Sequence, residues 1–115
     1  MPSERPRRRF QDILDNIERI ESYTAGMDGK AFLADARTTD AVERCLLRIS
    51  EAATKLGDVA EQLCPGPPWR DIRGLGNRLR HEYPTVETPR LWLIVVRDLP
   101  SLREACRNAI KRLAE

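Results

Sequence analysis

Trp69-Arg-Asp-Ile-Arg73-Gly-Leu-Gly-Asn77-Arg78-Leu-Arg80-His81-Glu-Tyr83 reads as one helix, because Ile72, Leu75, Leu79 and Tyr83 return at three- and four-residue steps along one side. Pro84 stops it. Gly74 and Gly76 lie inside the run, where each costs about 1 kcal/mol relative to alanine. A close-packed neighbour is therefore expected to require them. Immediately upstream, Pro65-Gly66-Pro67-Pro68 is the strongest break in the chain. It reads as a loop between helices and not as a domain linker, since neither half holds enough apolar surface to fold alone.

The same spacing recurs on both sides of this segment. Phe10, Ile13, Leu14, Ile17 and Ile20 predict an amphipathic helix over 7–24, with Asp12, Asp15, Asn16, Glu18 and Arg19 on the opposite face. Gly26 and Asp28-Gly29 mark its end, and residues 30–36 are expected to add one or two turns. Thr38 or Thr39 is the expected cap of the next helix, whose stripe is Val42, Cys45, Leu46, Ile49, Ala52, Ala53 and Leu56, closed by Gly57. Downstream, Pro89 favours a helix start and the pattern predicts a helix over 88–96. Asp98-Leu99-Pro100-Ser101 then reads as a break and cap before Leu102, Ala105, Cys106, Ala109, Ile110 and Leu113. The expectation is an all-α bundle of four to five helices, one domain over residues 1–115, with 1–6 a flexible end.

Composition narrows the function classes. A chain of 115 residues with 41% apolar and 33% charged residues is too short for two domains. Its net charge of +2 gives no reason to expect a histone-like coat for nucleic acid. The charge is nonetheless uneven, because residues 67–115 hold 10 basic and 6 acidic side chains, and Arg70, Arg73, Arg78 and Arg80 cluster before His81. Of the 20 cations only Lys30, Lys55 and Lys111 are lysines, and arginine is the better phosphate fork. Cys45, Cys64 and Cys106 have no paired spacing, so no zinc site or disulfide framework is read and reduced thiols are expected. The absence of a signal-like segment or an apolar run of membrane length predicts a soluble, cytoplasmic protein.

The chemistry points to the histidine. On a helix, Asn77 and Arg78 share the face of His81, four and three residues before it, while Arg80 lies off that face. Histidine moves protons near neutral pH, and arginine offsets charge growing on a phosphate oxygen. Together they suit phosphodiester cleavage without a metal, which needs a base, an acid and a cation. One histidine per chain means that a two-histidine site requires two chains about a twofold axis. Trp69 and Trp92 read as packing residues. Glu51 reads as solvated helix surface, with the orientation of an arginine as the alternative role, and Arg5 to Arg9 as an exposed end.

Residues 69–83, continued by Trp92 and Asp98-Leu-Pro-Ser-Leu102, resemble the HepT-like ribonuclease family of the HEPN superfamily. Asp12-Ile-Leu-Asp-Asn-Ile-Glu-Arg-Ile-Glu-Ser-Tyr23, Phe32-Leu-Ala-Asp-Ala-Arg-Thr-Thr-Asp-Ala-Val-Glu43 and Ile49-Ser-Glu-Ala-Ala53 extend the likeness over about residues 7–113. Ser50 stands where that family usually has glycine. The resemblance implies a HEPN bundle, a homodimer, and the RNA-cleaving toxin of a toxin–antitoxin pair. Its partner would be MntA, a minimal nucleotidyltransferase that silences the toxin by attaching AMP to a tyrosine.

In the family motif R-x-x-x-x-H-x-Y, His81 matches the histidine and implies the acid/base. Tyr83 matches the tyrosine and implies a site residue and AMP acceptor, and Asn77 matches the asparagine that commonly follows the arginine. The arginine position itself holds Gly76. Arg78, which shares the histidine face, or Arg73 as a phosphate contact, would have to supply the cation. Two expectations follow: an endoribonuclease needing no metal or cofactor, or a non-catalytic HEPN dimer that binds a nucleotidyltransferase or RNA.

Overall fold

The computed structural model describes residues 5–81 and 87–114, the side chain of His81 excepted. The described residues form α1 (Pro6–Thr24), α2 (Gly29–Ala34), α3 (Ala36–Leu56), α4 (Val59–Leu63), α5 (Trp69–His81), α6 (Thr88–Leu93), a π-helical segment (Ile94–Asp98) and α7 (Leu99–Ala114). No strand occurs among them, so the all-α expectation holds. The helices outnumber the four to five expected. The turns expected at residues 30–36 form as α2, which buries Phe32, while α4, which buries Ala60 after Gly57 ends α3 at φ +57°, is a short helix that periodicity does not resolve.

The core follows the stripes. Phe10, Ile13, Ile17 and Ile20 of α1 are fully buried, together with Val42, Ala53 and Leu56 of α3. Helix α3 is central, packed by α1 and α5, while α7 packs along α1. The small Ala52 and Ala53 allow close approach of neighbouring backbones. Arg103 on α7 is paired with Glu21 on α1 at 3.0 Å, and Leu102, Cys106 and Ala109 are buried from the same helix.

Trp69 anchors the start of α5. It is 2% exposed, its Nε1 donates to the Cys64 carbonyl at 2.8 Å, and its ring centroid lies 6.2 Å from that of Phe10. The Trp92 ring lies 5.0 Å from that of Phe32, tilted by 34°, and is so close to Gly29 that a Cβ there would sit 3.0 Å from the indole nitrogen. Both tryptophans are packing residues, as expected. All three cysteines are buried and free, and the Cys64 thiol donates to the Ala105 carbonyl at 3.4 Å.

Two expectations about helix ends are corrected. Asp35, and not Thr38 or Thr39, caps α3: its Oδ1 accepts the Thr38 N–H at 3.1 Å, and that bond holds its carboxyl below the usual carboxylate range. Thr38 occupies the first turn, whose free amide the cap satisfies, and the Thr39 hydroxyl donates to the Ala36 carbonyl instead. The break expected at residues 98–101 does not form. The π-helical segment runs directly into α7, with Leu99 N–H bonded to the Ile94 carbonyl. Its wider turn leaves room for the Pro100 ring, which would meet the carbonyl four residues back in a regular α-helix.

Candidate active site

Helix α5 carries its polar residues on three flanks. On the flank facing α3, the Ser50 hydroxyl accepts the buried Gly76 N–H at 3.0 Å and donates to the Arg73 carbonyl, also at 3.0 Å. Ser50 is 1% exposed. A Cβ on residue 76 would lie 2.7 Å from the Ser50 Cβ and closer still to its Oγ, so no side chain fits at 76 while Ser50 is present. The close packing expected of the glycines is thus real at Gly76. It is absent at Gly74, where a Cβ would meet nothing within 4 Å.

Replacing Ser50 with alanine removes both bonds and leaves the Gly76 amide without that acceptor. The expected loss is about 1–3 kcal/mol of stability, read as a lower urea midpoint with an unchanged slope.

The arginines of α5 diverge. Arg73 is held by Glu61 of α4 through Nη2–Oε2 at 2.6 Å and Nη1–Oε1 at 3.3 Å, a two-point grip that lowers the Glu61 carboxyl and raises the guanidinium. This occupies Arg73, which the sequence reading offered as a phosphate contact. Arg80 turns toward α3, with Nη1 3.8 Å from Glu51 and 3.5 Å from the position of a Cβ on residue 76. Glu51 is exposed helix surface, as expected, and also stands within ion-pair reach of Arg80.

Arg78 lies on the opposite flank, half-buried in a groove of about 530 Å³. Its floor includes Leu46, Ile49, Leu75 and Ile94, and Arg90 and Arg97 share its lining with Asp71 and Asp98. The face between these flanks holds Arg70, Gly74 and Asn77, all exposed and in helical register with His81, the last residue of α5. Tyr83 lies outside the described residues, as does the side chain of His81. Among the described residues no group of His, Cys, Asp and Glu could hold a metal ion, and no helix is long and apolar enough to cross a membrane.

The family model "Ribonuclease HepT-like" matches residues 13–109. The chain belongs to the HepT-like ribonuclease family. Relatives include a Thermococcus cleftensis protein named "Probable ribonuclease HepT", 37% identical over 94 residues that cover 82% of this chain and 86% of the relative. A Methanocaldococcus jannaschii protein named "Putative RNase MJ0127" is 33% identical over 115 residues, covering all of this chain and 89% of that one. No solved structure matches.

In this HepT-like chain the candidate site helix depends on two features that no local sequence pattern reports. Arg80 lies off the His81 face, yet Gly76, one turn earlier, leaves room beside it. Ser50 and Gly76 meet across two helices. Their separation of 26 residues hides the bond between them from any local pattern.

Proposed function

We propose that this HepT-like protein is a metal-independent endoribonuclease acting as the toxin of a toxin–antitoxin pair, in the cytoplasm and as a homodimer. What supports the reading is the end of α5, where one histidine follows four arginines within twelve residues, in a chain of a ribonuclease family. His81 takes the proton from the attacking 2′-hydroxyl or returns one to the leaving oxygen. Asn77, exposed on the same face, contacts the RNA beside it. Arg78 meets the strand from the groove that it shares with Arg90 and Arg97, and Arg73 reaches phosphate only when it leaves Glu61. The open face at Gly74 is where a second α5 packs, bringing two histidines to one site. Tyr83 is the acceptor of AMP from an MntA-like nucleotidyltransferase.

Purified protein incubated with labelled RNA in EDTA is expected to cleave it, and adding the nucleotidyltransferase with ATP is expected to silence cleavage in the parent but not in Tyr83→Phe. Intact RNA at every protein concentration defeats the nuclease reading.

A second reading is favoured by the Ser50–Gly76 contact, which fills the position of the motif arginine: a non-catalytic dimer that binds the nucleotidyltransferase or RNA. It requires an inactive parent that the paired exchange Ser50→Gly/Gly76→Arg converts to a nuclease. Gly76→Arg alone does not test it, because Ser50 blocks the new side chain.

A further inference from the structure

We infer that Arg80 is the catalytic cation of this site, delivering its guanidinium to the scissile phosphate from the position one residue before His81. The inference rests on the nuclease reading and names a residue for it. Ser50 closes position 76 to any side chain, and the Arg80 guanidinium reaches back over the space this leaves, 3.5 Å from where a Cβ would be.

The other arginines of α5 are less well placed. Arg73 is gripped at two points by Glu61. Arg78 stands in the groove on the far flank. Arg70 is eleven residues from His81, about 16 Å along the helix axis. Among the described residues Arg80 pairs with Glu51, through a long 3.8 Å contact whose side chains are 40% and 52% exposed. Such a pair holds little free energy, so the guanidinium can exchange Glu51 for a phosphate oxygen on substrate binding. Glu51 serves as its resting partner. A planar, permanently charged guanidinium can then donate two hydrogen bonds to the phosphate as its charge grows, while His81 handles the proton.

The test compares cleavage of a fluorescent single-stranded RNA in EDTA by the parent, Arg80→Ala, Arg80→Lys, and Arg80→Ala carrying Ser50→Gly and Gly76→Arg. Arg80→Ala is expected to lose about 10²–10³ in kcat, with KM changing far less, and an unaltered thermal melt. Arg80→Lys should keep part of the rate, and the triple variant should regain at least about tenfold over Arg80→Ala, because its arginine now enters from position 76. An active parent with an equally active Arg80→Ala overturns the role of Arg80 and leaves the nuclease reading standing. An inactive parent overturns both. If Arg80→Ala fails to fold, Arg80→Gln decides: a folded Arg80→Gln with full parental kcat and KM would also overturn the assignment.

Discussion

RNA cleavage by His81→Ala is expected to fall about 10²–10⁴-fold below the parent. The imidazole is the only side chain of this chain whose ordinary pKa lies near neutrality, and alanine leaves nothing at that position to accept or return a proton. Affinity should survive. The arginines of α5 and of the groove remain, and phosphate contacts of that kind govern binding and its salt dependence. The measurement is therefore single-turnover cleavage at saturating protein, paired with RNA binding by fluorescence anisotropy. A rate equal to the parent's would remove His81 from the mechanism. Equal loss of binding and rate would show instead that its role is to hold RNA.

Trp69→Ala is expected to cost about 3–5 kcal/mol, the range for emptying a large buried aromatic site. Three separate losses add at this position. The indole is almost completely buried, its packing against Phe10 disappears, and the Cys64 carbonyl loses its 2.8 Å donor. Against a total stability of about 5–15 kcal/mol for a domain, that is a large share. Because Trp69 is the first residue of α5, the damage falls on the helix that presents His81. Urea denaturation would show a lower midpoint, and hydrogen exchange would show α5 amides losing protection ahead of those in α1. A variant as stable as the parent would mean that the cavity collapses without consequence, contrary to the tight packing described.

The long helices were legible because a buried stripe leaves a periodic mark. Phe10, Ile13, Ile17 and Ile20 recur at three and four, and each is fully buried. What escaped were arrangements decided by a residue outside the local window. Asp35 outcompetes two threonines for the cap of α3 because α2 ends at Ala34 and the helix starts earlier than its apolar stripe. The π-helical segment preserves helical continuity through a sequence that contains a proline and a favourable cap, so the apparent break is absorbed. At the site, composition and spacing singled out His81 and its arginines as a group. Which arginine is engaged by which carboxylate depends on α3 and α4, through Glu51 and Glu61, and no spacing within α5 reports that.

The hydrogen-bonded contact between Ser50 and Gly76 also constrains how this chain could have diverged. Any side chain at 76 collides with the serine, whereas glycine at 50 beside glycine at 76 would leave the helix pair short of two hydrogen bonds. Neither position can change freely while the other stays fixed, so the fitness effect of a substitution at one depends on the state of its partner. Such epistasis favours paired inheritance: lineages carrying serine at the first position should carry glycine at the second, and a change to arginine at 76 should pass through glycine at position 50 first.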